Sequence, residues 1–370
     1  MAQTLTTNFC MSTLSIDPEL GQEVAVNQID QSLRKLWAQD EARTNACLIN
    51  FAIYSESPGS LQKNSKIVRE LTQEHACRAI LIEMDRSAKE ASIHAWITAH
   101  CHLSEGKKSV CCEQISFALT GVSRGRLRNT VFAHLSSDLP LILWWQGELS
   151  PIFEERLYSV VDRFVFDSSE WIASSNSFVM IRQAIENSTR SFIVQDLAWT
   201  RSYHFRLAVA ALFDDPLAEQ SLKSINRVEI THHQQHHTAA LQLLAWLAVQ
   251  AGWRRGIELN LSLAQTNGNK QGFSFEHKTG EVIDVALTAN PEGASIAILT
   301  IYSDGMKLCV ERCNLSSHLH LRLEINGHVT DSLTPAGSDD CTQLISDQLA
   351  RGGKNSLYLK ILPMFYDLLE

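Results

Sequence analysis

Gly121-Val122-Ser123-Arg124-Gly125 satisfies the pattern Gly-x-Ser-x-Gly between a predicted strand and a predicted helix. A hydrolase uses a serine on such an elbow to expose its nucleophile. The surroundings argue for an ordinary turn. No His-Gly-Gly segment supplies an oxyanion hole, and Arg124 is followed by Arg126 and Arg128. The strand before it reads as an antiparallel partner rather than a central parallel strand. Glycine and serine are what a strand-to-helix turn takes in any case, so catalysis at Ser123 is the weaker alternative. His232-His233-Gln234-Gln235-His236-His237 is the second candidate. On a helix, His232/His236 and His233/His237 form i, i+4 pairs, a spacing that suits zinc. No carboxylate lies among them and no third ligand is close, so the segment reads as a solvated strand-to-helix connection without a metal.

The nine cysteines, at 10, 47, 77, 101, 111, 112, 309, 313 and 341, follow no framework spacing and read as free thiols. Cys47, Cys77 and Cys101 fall on predicted strands as small apolar residues. Cys309 and Cys313 would lie about 13 Å apart on a strand, too far to bridge. Neither Gly-x-Gly-x-x-Gly after a strand nor the phosphate-loop pattern occurs, and no cofactor is expected.

The 370 residues allow two domains of ordinary size, and 45% hydrophobic with 20% charged residues is the composition of a globular protein. A net charge of −9 argues against a nucleic-acid partner, which calls for a basic face. No run of 18 apolar residues exists to span a membrane. Met1–Ser15 is polar and threonine-rich, unlike a signal peptide, so a cytoplasmic protein is expected.

Ile29, Leu33, Leu36 and Trp37 recur as on one face of a helix. Ala46–Tyr54 is a nearly continuous apolar run, as in a strand covered on both faces. Helix Lys66–His75 and strand Arg78–Met84 follow. Ser92–His102 alternates apolar and polar residues, as a half-exposed antiparallel strand does, with Ile115–Leu119 as its partner. Then come helix Arg124–Ser136, strand Leu139–Trp145, helix Ile152–Val161 and strand Arg163–Phe166, with Asp167-Ser168-Ser169 as a helix cap. The fold class predicted is α/β. Residues 1–40 form an extension and first helix, 41–190 a three-layer domain with a mixed sheet, and 191–370 an α+β domain. In that second domain Thr200 caps a helix through Leu212, and strand Arg227–Thr231 leads to a buried helix over Thr238–Ala251. The period then changes to two from Ile257 to Ile325, a largely antiparallel meander flanked by helices.

Leu139-Pro140-Leu141-Ile142-Leu143-Trp144-Trp145-Gln146-Gly147-Glu148 ends an apolar strand in two tryptophans and a charge. Neighbouring strand residues point to opposite faces, so one ring is expected inside and the other on the far side; the alternative is that helices cover both faces and both rings are core. Asp196-Leu197-Ala198-Trp199-Thr200-Arg201 likewise sets an aromatic and charges at an element's end. Tryptophan and arginine dominate interface energetics, and Trp145, Glu148, Asp196, Trp199 and Arg201 are the candidate partner-binding residues. The competing reading has Asp162, Asp196 and Arg201 capping helices and pairing across the domain boundary.

Arg43–Tyr54 (RTNACLINFAIY), Glu74–Ile80 (EHACRAI), Cys112–Gly121 (CEQISFALTG), Leu139–Glu148, Asp162–Ser168 (DRFVFDS) and Asp196–Arg201 (DLAWTR) together resemble the OpcA family of bacterial glucose-6-phosphate dehydrogenase assembly proteins. Leu244-Ala245-Trp246-Leu247 and Gly252-Trp253 are similar to that family's second half, and the resemblance runs from about residue 40 to 260. It implies a non-catalytic protein that binds glucose-6-phosphate dehydrogenase, promotes its active oligomer and supports NADPH supply through the oxidative pentose phosphate pathway. The alternatives are a sensor holding a sugar phosphate or nucleotide at the end of the tryptophan strand, or a hydrolase at Ser123.

Overall fold

The structure is a computed structural model that describes residues 16–38, 43–45, 47–104, 108–121, 127–172, 174–188, 193–256, 269–313, 316–351 and 355–370. The Ser123 motif and the strand expected at Ile257–Leu263 lie outside the described residues. Two compact units form. The first holds the chain up to Gln146 with Val160–Asp162, and the second holds Gly147–Ser159 with Arg163–Glu370.

In the first unit the apolar run becomes β4 (Ile49–Ser55), after β1 (Ile16–Asp17), β2 (Gly21–Val24) and β3 (Arg43–Asn45). β5 (Cys77–Asp85), β6 (Ile93–Ser104), β7 (Lys108–Thr120) and β8 (Leu141–Trp145) complete the strands. Their order is β1-β2-β6-β7-β5-β4-β8, with β3 alongside β7. β4 runs parallel to β5 and β8, and β5 parallel to β7. β6 and β7 form an antiparallel hairpin, and β2 pairs antiparallel with β6, so the sheet is mixed as expected. The helices are α1 (Ile29–Ala38) and α2 (Ser60–Leu71). Of the helix expected over Arg124–Ser136, the described residues form a π turn at Leu127–Val131 and a 3-10 turn at Phe132–His134.

Every residue of β8 is buried. Trp144 and Trp145 are 2% and 0% exposed, and Trp145 stacks on its cross-strand neighbour Tyr54 at 4.0 Å between ring centres. Opposite faces do not mean one wet face, because both sides of this strand are covered. The loop leading into β8 is held by one buried side chain. Asn50 Nδ2 donates to the carbonyls of Ser136 and Leu139 at 2.9 Å each, and its Oδ1 accepts from Ser136 N. Arg78 joins Glu113 at 2.6 Å and donates to the His134 carbonyl, tying the π/3-10 segment to the sheet.

The reading of all cysteines as free thiols is corrected here. Cys101 and Cys111 face each other across the β6–β7 ladder and form a disulfide. β7 begins at Lys108, well before the Ile115 start that its apolar alternation suggests, and that earlier start brings Cys111 opposite Cys101. Cys112 points the other way and contacts Cys77. A hydrogen bond from Cys77 brings the Cys112 thiol down to about 7, while the same contact and burial push Cys77 up.

The second unit opens with α3 (Glu155–Tyr158), a single turn where Ile152–Val161 was expected. Phe153 packs on Tyr158 and Phe164 there, with ring centres 5.5 and 4.8 Å away. β9 (Arg163–Phe166) and β10 (Ile193–Asp196) run parallel, separated by α4 (Ser174–Asn187). α5 (Leu197–Arg201), α6 (Tyr203–Leu212) and α7 (Pro216–Ser221) follow, then β11 (Ile225–His233) and α8 (His237–Ala251). The remaining strands are β12 (Arg254–Arg255), β13 (Lys270–Glu276), β14 (Val282–Asn290), β15 (Ile296–Ser303), β16 (Met306–Glu311), β17 (His318–Ile325) and β18 (His328–Pro335). They assemble as β12-β13-β14-β11-β15-β16-β17-β18. Among the described strands of this sheet only the β11–β14 pair is parallel, so the meander expected from the two-residue period is present with one strand threaded into it.

β18 carries no apolar alternation and its side chains are almost all exposed. Its place is set by the hairpin turn at Asn326-Gly327, both with positive φ (50° and 83°), the backbone a tight two-residue turn needs. α9 (Cys341–Ala350) is capped by Asp340, and α10 (Ser356–Leu369) continues through Pro363. α8 is buried along nearly its whole length, as its alanine and leucine content predicts, and ends on Gly252 in the left-handed region.

Trp145→Ala removes a fully buried ring from a two-sided core, so a loss of about 3–5 kcal/mol in unfolding free energy is expected. A denaturant titration would show it as a lower midpoint at unchanged slope.

Candidate functional site

β9 and β10 end side by side, with Asp196 in register with Phe166, so Asp167 and Asp196 both sit at the carboxyl end of a parallel pair. Open α/β sheets concentrate their functional residues at that end. The DLAWTR segment closes the arrangement. Asp196 caps α5 by accepting from Ala198 N at 2.9 Å, and Arg201, at the other end of this short helix, reaches back to Asp167. That contact is bidentate, with Arg201 Nη1 to Asp167 Oδ1 at 2.9 Å and Nη2 to Oδ2 at 2.7 Å. Asp196 also accepts from Ser168 N (3.1 Å), Ser168 Oγ (2.6 Å) and Gln242 Nε2 (2.7 Å) of α8. Thr200 Oγ1 donates to the Asp196 carbonyl and accepts from Gln348 Nε2 of α9 at 2.6 Å.

Two neighbouring buried carboxylates repel, and the fold treats them differently. Burial works against charge on Asp167, but Arg201 outweighs it and holds this carboxyl below its usual range. Asp196 has only neutral donors. Burial first, and then the charge on Asp167, push it up to about 6. One member of the pair is thus a fixed anion and the other is poised to take a proton.

The cluster also shapes the chain beyond Asp167. Its Oδ1 accepts from Ser169 N and Oγ, setting the turn Ser168–Glu170. Past that turn, Trp171 Nε1 donates to the Gly147 carbonyl, Gly147 N to Glu170, and Ile172 N to Glu148 Oε1 at 2.5 Å. These bonds set a Gly147-Glu148 loop beside Ile172, whose side chain is 98% exposed.

Trp199 points to a different feature. The guanidinium carbon of Arg206, one helix on, lies 3.2 Å from its ring centre, and that of Arg351 lies 3.9 Å from the ring centre of Tyr203. These side chains line a cavity of about 580 Å³ with Trp246 and Trp253, and no carboxylate, serine, cysteine or histidine is among its lining residues. Arg206 is 7% exposed and its Nη1 has no hydrogen-bond partner. Burial, then the charge on Arg351, bring its pKa down to about 9.

Of the five residues expected at a partner surface, Asp196, Trp199 and Arg201 meet in this part of the second unit. Trp145 lies in the core of the first unit, and Glu148 is exposed on its loop. Trp145, Asp196 and Arg201 are interior: Trp145 because β8 is covered on both faces, the other two because Arg201 pairs with Asp167 and Asp196 gathers four donors. Capping by Asp196 and pairing of Arg201 therefore describe these charges, with Asp167 as the partner of Arg201 and both inside the second unit. The residues not singled out were Asp167 in its ion-pairing role, Gln242, Arg206 and Arg351. Trp199, Tyr203 and Arg206 follow at steps of four and three, the spacing of one helical face, and that signal was readable.

The histidine run is not one helix. His232 and His233 end β11, Gln234–His236 is a 3-10 turn and His237 starts α8. His232 is 2% exposed, which corrects the solvated reading. His236 and His237 are brought down to about 4, chiefly by burial. Among the described residues no group of three or more histidine, cysteine, aspartate or glutamate side chains is placed to hold a metal.

A mixed-sheet unit followed by an α+β unit whose two parallel strands end in this ionic cluster defines a two-part α/β protein, and both parts have relatives. Residues 68–183 match the model of the glucose-6-phosphate dehydrogenase subunit N-terminal domain, and residues 193–362 that of its C-terminal domain. The chain belongs to this family, OpcA. No curated protein matches it. Among solved structures it is similar to KijD10, a 3-ketoreductase from Actinomadura kijaniata, at 8% identity over 87% of this chain and 95% of that one, with a TM-score of 0.48. An aldose-aldose oxidoreductase from Caulobacter crescentus aligns at 11% identity over 87% and 96% of the two chains, with a TM-score of 0.45. Likeness this distant carries no inference about chemistry.

Arg201→Ala leaves Asp167 buried and uncompensated, and about 3–5 kcal/mol of stability should be lost. The double variant Asp167→Leu/Arg201→Met should lose less than Arg201→Ala alone, read by denaturant unfolding of all three. Asp196 titrates near 6 when folded against an ordinary 3.8, so its contribution is fully present below 3.8 and is lost as pH rises through about 6. The destabilisation caused by Asp196→Asn should therefore shrink between pH 4 and pH 7, by about 1–3 kcal/mol. A gap that is constant with pH would mean that Asp196 is already ionised at the acidic end.

Proposed function

We propose that this protein is a non-catalytic activator that binds glucose-6-phosphate dehydrogenase in the cytoplasm and favours its active oligomer, sustaining NADPH supply. The observation that carries the reading is the match of both parts of the chain to domains named for a subunit of that enzyme. An activator acts by binding one state of its target better than another. A coupling of about 1–3 kcal/mol changes substrate affinity roughly 5- to 150-fold, and by reciprocity substrate tightens the activator's binding by the same factor.

The contact surface we assign is the loop pair built by the ionic cluster. Glu148 and Ile172 offer an exposed carboxylate and an exposed aliphatic side chain on a bonded platform. Asp196 and Arg201 serve it from beneath by fixing Ser168 and Asp167, and Trp145 and Trp199 contribute through the cores of their units.

The test is the rate of glucose-6-phosphate dehydrogenase from the same source against substrate concentration, with and without this protein. A lower half-saturation or a higher maximal rate, saturating in added protein, is the expected result. An unchanged rate and oligomer distribution would overturn the proposal. Ile172→Asp and Glu148→Lys should keep the circular dichroism spectrum and weaken activation at least about tenfold, the loss of one interface anchor. Full activation by both variants would move the contact elsewhere.

A further inference from the structure

We propose that the cavity lined by α6, α8, Arg351, Asn355 and Leu357 is a binding site for an organic acid with an apolar body, its oxyanion received by Arg206. This site is separate from the Glu148–Ile172 platform and does not depend on the function proposed above.

The first argument is charge. Arg206 is buried, its Nη1 has no partner, and no described residue forms an ion pair with it. A guanidinium out of water without an anion is unfavourable. Stacking on Trp199 offsets part of that, but a second cation, Arg351, lines the same cavity and adds repulsion. Burial and Arg351 together weaken the hold of Arg206 on its proton, and an oxyanion against the guanidinium would offset both effects. Arginine suits this task because its fork meets a carboxylate or phosphate with two parallel bonds. Trp253, another residue of the lining, likewise has a buried Nε1 without an acceptor.

The second argument is the wall. Among the described lining residues, Gln250, Asn355 and Tyr203 are the uncharged polar side chains, and apart from Arg206 and Arg351 the rest are aliphatic or aromatic. A sugar phosphate would bring several hydroxyls into this space and leave them unpaired, which is costly. An aliphatic or aromatic acid fills it without that loss. The volume of about 580 Å³ lies within the range of sites for small organic ligands.

Titration calorimetry on the whole chain tests this with 4-phenylbutyrate and octanoate as probes. Their neutral amides, inorganic phosphate and glucose 6-phosphate are the comparisons. Saturable one-to-one binding of the acids is expected, with the amides at least about tenfold weaker and no heat from phosphate or glucose 6-phosphate. Arg206→Gln should abolish the preference for acid over amide, and Arg351→Gln should reduce it. Should Arg206→Gln fail to fold by circular dichroism, the acid-to-amide ratio on the unaltered chain and on Arg351→Gln decides. Equal binding of acid and amide would reduce the cavity to an apolar hole. Tighter binding of glucose 6-phosphate would overturn the apolar body, and no heat from either acid would overturn the site.

Discussion

Two parallel strands that both end in aspartate bring like charges together in the interior, and the second unit is organised around that conflict. Arg201 resolves half of it by a two-pronged bond to Asp167. Asp196 resolves the other half by collecting neutral donors from a loop, a helix start and α8. Each solution recruits a separate piece of chain, so the carboxylates determine where α5 starts, how the Ser168–Glu170 turn bends and which side of α8 faces them. Thr200 then carries the arrangement to α9 through Gln348. A hydrophobic cluster of the same size could fill the space, but it would not dictate one connectivity among these segments, because apolar contacts have no direction.

This arrangement also links interior to surface. The charged members of the DLAWTR segment are hidden, yet one bonded step away lies the loop that ends in exposed Ile172. Residues of this kind act by holding others in place. On its other side the same short helix delivers Trp199 to the wall of an apolar cavity that contains a stranded cation. A single six-residue stretch therefore organises two surfaces of different character, one a platform and the other a recess.

Most strands could be read directly, because a two-residue period or an unbroken apolar run survives any context. The mixed first sheet, the meander and buried α8 follow from such patterns. Register did not follow, because pairing depends on the partner: the start of β7 at Lys108, and with it the Cys101–Cys111 bridge, is fixed by β6 rather than by its own residues. β18 is not legible in the sequence because an edge strand with both faces wet has no pattern to show. The site was legible as residue types and not as burial. Aspartate and arginine are exposed so regularly that the sequence suggests a surface, and only Asp167, nearly thirty positions upstream of Asp196, reveals why Arg201 turns inward.

Over Thr238–Ala248 α8 has no wet face, and that bears on when the second unit can form. An isolated helix of this length in water gains little from its own hydrogen bonds, and one that is apolar all round has every reason to stick to whatever it meets first. Its proper neighbours include α5, already made before it, and α10 far downstream. During synthesis the greasiest segment of the chain must therefore wait, through the whole meander, for the helix that finally sheathes it. Over that interval it is a natural client for a chaperone.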